Sequence, residues 1–130
     1  MILGLDPGRD KCGLAVIDRD RLVTHRVVDS SEAIAFIQQL CQYYSIELIV
    51  MGDGTTSKNW REQIESSLAR KIEIAMVNEK NSTLEARDRY WLMYPPKRLQ
   101  RLIPPGLRVP PRPVDDIVAI LLIERYLAIS

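Results

Sequence analysis

The sequence predicts an α/β domain whose mixed five-stranded sheet is covered by helices on both faces. Three observations carry that prediction. Three runs rich in Val, Ile and Leu stand close together near the amino terminus, two further apolar runs follow with helical patterns between them, and the last apolar stretch, Ile117 to Ile123, is hydrophobic nearly all round. Short polar turns between the first three runs favour an antiparallel meander, because a parallel pair needs a crossover of a dozen or more residues. The later alternation of strand and helix supplies such crossovers.

Taken in order, Ile2 to Leu5 reads as a short strand that stops at the turn-forming Asp6-Pro7-Gly8, and Cys12 to Asp18 and Leu22 to Val28 read as the next two. Asp29 followed by Glu32 has capping-box spacing, after which Ile34, Ile37, Leu40, Cys41 and Tyr44 recur at helical intervals. Glu47 to Met51 is a buried strand. A polar stretch from Gly52 to Ser57 leads into a helix with Trp60, Ile64 and Leu68 on one face. Ile72 to Val77 is the fifth strand. Ser82 with Glu85 is a second capping-box signature and opens a helix that Pro95-Pro96 ends. A proline-rich loop runs to Pro113, and the last helix extends from about Val114 to Ala128, its all-round hydrophobicity predicting burial on more than one side.

The 130 residues, 46% hydrophobic and 27% charged, suit one globular domain over residues 1–130 with no linker or repeat. No apolar run approaches the ~20 residues that span a bilayer. Asp6-Pro7-Gly8 interrupts the apolar start too early for a signal peptide, so a cytosolic protein is expected, without membrane contact. Two cysteines and one histidine are too few and scattered for a zinc site or disulfide framework; Cys12 and Cys41 are expected as packed thiols, and His25 is given no catalytic role. A net charge of +1 neither demands nor excludes nucleic acid, since the distribution of charge decides phosphate binding.

Acids mark one edge of the predicted sheet. Asp6 and Asp53 follow the carboxyl ends of strands, Glu79 follows another, and Asp115 and Asp116 begin the last helix. Ligands of open α/β sheets bind at that edge. Clustered carboxylates offer the oxygen ligands that Mg²⁺ or Mn²⁺ prefers, and two such ions ~3.5–4 Å apart stabilise the attacking and leaving oxygens of a phosphodiester. Each acid also has a plain structural reading: a turn at Asp6, and favourable charge at a helix N-terminus for Asp115 and Asp116. Adjacent helical positions point about 100° apart, so Asp115 and Asp116 are not equivalent.

The run Ile2-Leu3-Gly4-Leu5-Asp6-Pro7-Gly8, with Gly13 beyond it, resembles the opening motif of RuvC-type Holliday junction resolvases. Glu79 with Ser82-Thr83 and Glu85-Ala86 is similar to the second signature of the YqgF family, which comprises RuvX-type resolvases and pre-16S ribosomal RNA nucleases. Val114-Asp115, with Ala119, Glu124 and Tyr126, resembles that family's closing helix. The resemblance implies a ribonuclease H-like fold and a Mg²⁺- or Mn²⁺-dependent endonuclease acting on branched DNA or precursor ribosomal RNA as a monomer or homodimer. It places Asp6, Glu79 and Asp115 on the family's acidic positions, with Asp53 as a candidate fourth acid and Asp115 favoured over Asp116. Asp10 stands where the family usually has a basic residue, Asn78 where it commonly has Asp, and Gly52-Asp53-Gly54 where it tends to have Gly-Leu-Pro, so a divergent member is implied.

From Arg89 to Val114 there is no acidic residue, and seven of the eight prolines lie there. Lys97, Arg98, Arg101, Arg108 and Arg112 are therefore expected to contact nucleic-acid phosphates beside the acids, while Tyr90, Trp91 and Tyr94 could stack on unpaired bases with at least one of them in the core. Two other classes compete. A nucleic-acid-binding or assembly factor could keep the fold without cleaving. The turns at Asp6 and at Asp53 to Ser57 also resemble phosphate-binding turns of the actin and sugar-kinase superfamily, whose nucleotide site needs two such domains.

Overall fold

A computed structural model describes residues 1–129, Arg98 by its backbone alone. Strands β1 (Ile2–Asp6), β2 (Lys11–Asp18) and β3 (Arg21–Asp29) form the antiparallel meander, and helix α1 (Ala33–Tyr43) leads to β4 (Leu48–Gly52). Helix α2 (Ser57–Ser67), β5 (Glu73–Val77), α3 (Ser82–Met93) and α4 (Asp115–Ile129) complete the order. The sheet runs β3-β2-β1-β4-β5. β1 pairs with β2 antiparallel and with β4 parallel, and β4 pairs with β5 parallel. The carboxyl ends of β1, β4 and β5 therefore share one edge, where Asp6 lies opposite Gly13 of β2.

Strand alternation sends side chains to two cores. Leu3, Leu5, Leu14, Val16, Ile49 and Met51 pack with Ile37 of α1 and Ile64 of α2. Ala15, Val50 and Val77 face the other side, under Ile117 to Ile123 of α4 and with Ala86 and Tyr90 of α3. α4 crosses the sheet over β1 and β2 and is covered in turn by α3, which explains its lack of a polar face. Each fully buried Ile or Leu there contributes about 1.5–3 kcal/mol. No helix among the described residues is long and apolar enough to cross a membrane.

Local chemistry differs from expectation at several points. Neither predicted capping box forms. Asp29 makes no side-chain cap, its carboxylate pairs with Lys11, and a 3-10 turn, Ser30–Glu32, precedes α1. Ser82 is the buried first residue of α3, and the cap position belongs to Asn81 in the left-handed region (φ 61°), which Asn tolerates better than most residues. The loop after α3 carries two 3-10 turns, Arg98–Leu102 and Pro105–Leu107. Cys12 and Cys41 are free thiols, the first buried, and Tyr90 is the aromatic of its trio that enters the core.

Candidate functional site

Backbone contacts first fix where the acids stand. A Cβ on Gly13 would run into the Asp115 carbonyl and come within 2.6 Å of the Asp116 nitrogen, so the bare glycine lets the start of α4 settle on β2 beside Asp6. The Val114 carbonyl accepts from the Ile117 and Val118 N–H groups and starts the helix there. Asp6 and Asp115 then meet, with their carboxyls joined by a hydrogen bond.

Glu79 reaches the same edge on a tightly pinned loop. The Asp53 N–H donates to the Val77 carbonyl at 3.0 Å, and Asp53 Oδ1 accepts from the Glu79 N–H at 3.3 Å. The Glu79 carbonyl accepts from the Ser82 N–H (3.1 Å), and the Asn78 side chain accepts from the Lys80 N–H (2.8 Å). Arg125 of α4 donates to the Asn78 carbonyl at 2.7 Å and pairs with Glu85 at 3.0 Å. The Glu79 carboxylate lies against Gly52 and Gly54, at positions that any side chain there would invade.

The electrostatics are those of crowded like charges. Burial, with Asp115 and Glu79 nearby, raises Asp6 from 3.8 to about 7. Burial and then Asp53 raise Glu79, and burial raises Asp115 against the opposing hydrogen bond from Asp6. The two carboxyls therefore favour sharing a proton. Among the described residues, none of Asp6, Asp53, Glu79 and Asp115 is ion-paired with a basic side chain, although Lys11–Asp29, Arg89–Glu124 and Arg125–Glu85 pairs lie elsewhere. Oxygen-only donors without a protein counter-charge fit a hard divalent cation, and Asp6 with Asp115 could supply two ligands. Among the described residues no three His, Cys, Asp or Glu side chains are already grouped closely enough to hold an ion. Glu79 would have to leave Gly52 and Gly54 to become a third.

Asp53, which is exposed, holds the Glu79 backbone instead of joining the pair. Asp53→Asn keeps an acceptor oxygen for that N–H, so Mn²⁺ affinity by titration calorimetry is expected within about 3-fold of wild type; a loss as large as that of Glu79→Gln would make Asp53 a ligand.

Asp116, expected as a candidate ligand, is not brought into this group. Its side chain is only 4% exposed and its oxygens are taken: Oδ2 lies 2.6 Å from His25 Nδ1, and Oδ1 accepts from Arg112 at 3.0 Å and from the Ile117 N–H at 2.9 Å. His25 and Arg125, which sequence reasoning passed over, thus have defined partners 91 and 47 positions away, beyond any local sequence signal.

The basic loop braces itself. Arg101 donates to the Pro96 carbonyl, Arg108 to the carbonyls of Gln100 and Ile103, and Arg112 to that of Pro113 while its guanidinium lies 5.4 and 5.6 Å from the Tyr90 and Tyr94 rings. Lys97 is exposed, and the side chain of Arg98 lies outside the described residues. Leu99, Leu102, Leu107 and Val109 project into solvent between them. A cavity of about 870 Å³ between α2 and β5, lined by Arg61, Glu65, Leu68, Arg70 and Ile72 among others, contains none of the acids. Asp6, Asp53, Glu79 and Asp115 lie outside that cavity, at the strand-end edge of the sheet.

The comparisons agree with this frame. The RuvC structure from Thermus thermophilus superposes with a TM-score of 0.56 at 15% identity, covering 99% of this chain and 96% of that one, which makes the fold ribonuclease H-like. A ROK hexokinase from Thermus thermophilus is matched at 22% identity over 70% of this chain and 37% of that one, with a TM-score of 0.46. Protein tex of Bordetella pertussis is 33% identical over 88 residues, 58% of this chain and 11% of that protein, so the match spans a small part of this relative. The family model of the Tex protein YqgF-like domain matches residues 1–86, which include Asp6, Asp53 and Glu79 and stop short of Asp115. On that match, the chain belongs to the family of the Tex protein YqgF-like domain.

Proposed function

We propose that this domain is a metal-dependent endonuclease that hydrolyses phosphodiester bonds in structured nucleic acid. The observation that carries the reading is the half-buried Asp6–Asp115 pair with Glu79 near it, at the strand-end edge of a ribonuclease H-like sheet without a basic partner among the described residues. Two carboxylates in hydrogen-bond contact ionise together only at a cost that a cation between them removes. Asp6 and Asp115 would hold Mg²⁺ or Mn²⁺, with Glu79 as a third oxygen ligand. Such an ion, when bound, neutralises charge on the scissile phosphate and makes water a nucleophile near neutral pH. The chain's own part is to release the Asp6 proton, to swing the Glu79 carboxylate from Gly52 and Gly54 toward the Asp6–Asp115 pair, and to keep basic side chains from competing for the three. No covalent intermediate is proposed. The buried Cys12 thiol is turned to Ser30 Oγ at 3.4 Å, away from the acids.

Four-way DNA junctions, precursor ribosomal RNA and plain duplexes incubated with the protein and Mg²⁺ or Mn²⁺ test the proposal. Cleavage of at least one, abolished by chelator, is the expected result. Binding without cleavage of any would assign the domain to the non-catalytic class. In the same assay the loop from Lys97 to Arg112 is proposed as the phosphate-contacting surface. Replacing Lys97, Arg98 and Arg101 together by Ala should weaken binding to all sequences alike and flatten its dependence on log salt by roughly two to three units of slope. An unchanged salt slope would move the binding surface elsewhere.

A further inference from the structure

The buried carboxylate among the described residues, Asp116, lies beside the acids and not among them. Asp116 accepts from His25 of β3 and Arg112 of the proline-rich loop, and Arg112 in turn rests on Tyr90 and Tyr94. Three parts of the chain, β3, the loop and α4, therefore converge on one carboxylate next to Asp115, and α3 backs Arg112 through Tyr90. We infer that Asp116 is a positioning residue: held by His25 and Arg112, it sets the rotation of the first turn of α4 and so the direction in which Asp115 points.

The geometry favours positioning over direct binding. Asp116 has its strong acceptor directions filled, on both oxygens, by donors from outside its own helical turn. Asp115 is the reverse: among the described residues its carboxyl meets no basic side chain, and its hydrogen bonds run to Asp6 and to its own backbone. The glycine contact at Gly13 presses the Asp115 carbonyl onto β2, and the Asp116 cluster prevents the helix from turning about that contact. Carboxylates fixed from behind in this way differ from free ones chiefly in aim, and loss of such partners typically costs 10–100-fold in metal affinity or activity.

This inference rests on the reading of Asp115 as a ligand, and the test separates the two. In the full chain, Mn²⁺ affinity is read by electron paramagnetic resonance of the free ion, and kcat and KM are read on whichever substrate is cleaved. Asp115→Asn is expected to lose Mn²⁺ binding. Asp116→Asn is expected to retain it within about 10-fold while kcat falls about 10- to 100-fold at nearly unchanged KM. Because Asp116 is buried, His25 provides a second handle: His25→Leu should lower kcat about 10-fold and His25→Gln, which keeps a donor, should recover most of the loss. In metal-free protein, the amide resonance of Asp115 should shift in His25→Leu while those of β5 stay in place. An Asp116→Asn variant that loses Mn²⁺ as completely as Asp115→Asn would make Asp116 a ligand and overturn the inference. So would an Asp115 amide and a kcat that do not respond to either His25 variant. A wild type that neither binds Mn²⁺ nor cleaves overturns the nuclease reading, and the positioning of Asp115 toward an ion falls with it.

Discussion

In metal-free buffer at pH 8, Asp6→Asn is expected to melt above the wild type, and with Mg²⁺ it is expected to cleave on the order of 10³-fold more slowly. Both effects have one source. The folded Asp6 carboxyl holds its proton up to about pH 7, against 3.8 for an ordinary aspartate, because it is half-buried and so desolvated beside Asp115 and Glu79. The folded state thus binds a proton more tightly than the unfolded chain. The stability this confers is complete below about pH 3.8, declines as pH rises, and is lost above about 7. The gap corresponds to roughly 4 kcal/mol at about 1.4 kcal/mol per pH unit, and because neighbouring acids share the proton, about 2–4 kcal/mol is the expected range. Asparagine has no such titration. Its melting advantage should be roughly 5–10 °C at pH 8 and shrink toward pH 4. Adding Mg²⁺ should raise the melting temperature of the wild type far more than that of the variant. A pH-independent difference in melting would refute the like-charge account, and near-wild-type cleavage by the variant would sink the mechanism.

The elements of the fold were legible because they depend on local patterns. Alternation in β1, β2 and β4, the helical spacing of Ile37 and Leu40, and the all-round apolar run of α4 each say which face must be covered. The acids at strand ends were legible for the same reason, since parallel β1, β4 and β5 put their carboxyl ends at one edge whatever the side chains between. What escaped were pairings with remote partners that no strand-end rule marks. His25 had no visible partner because Asp116 lies on the last helix, brought over β3 only by the crossing of α4. Asp29 and Ser82 have the residue types of caps, but Lys11 engages the first and Asn81 takes the cap position ahead of the second. The basic loop showed its charge and not its use of Arg101, Arg108 and Arg112 to meet its own carbonyls, because which carbonyl lies within reach depends on how the loop turns.

Gly13→Ala tests how closely the site depends on backbone contact alone. The substitution adds one methyl group and no charge, and on an ordinary strand it would be mildly favourable. Here the added carbon collides with the Asp115 carbonyl and approaches the Asp116 nitrogen, atoms of a helix start that cannot move aside as a flexible side chain could. Overpacking of this kind costs about 3 kcal/mol or more, and for a chain of this size the melting temperature should fall by roughly 10 °C. The activity loss should exceed what stability explains. At 20 °C, where the variant remains folded, displacing Asp115 from Asp6 by even about 1 Å should lower kcat roughly 10²-fold. The Asp6 pairing should loosen as well, so the difference in melting between pH 5 and pH 8 becomes smaller in Gly13→Ala than in the wild type. Gly106→Ala is the matched control, because a Cβ there meets nothing within 4 Å and should leave melting and cleavage unchanged. If Gly13→Ala matched that control in both measurements, α4 would not rest on β2 at this point, and the site built on that contact would have to be redrawn.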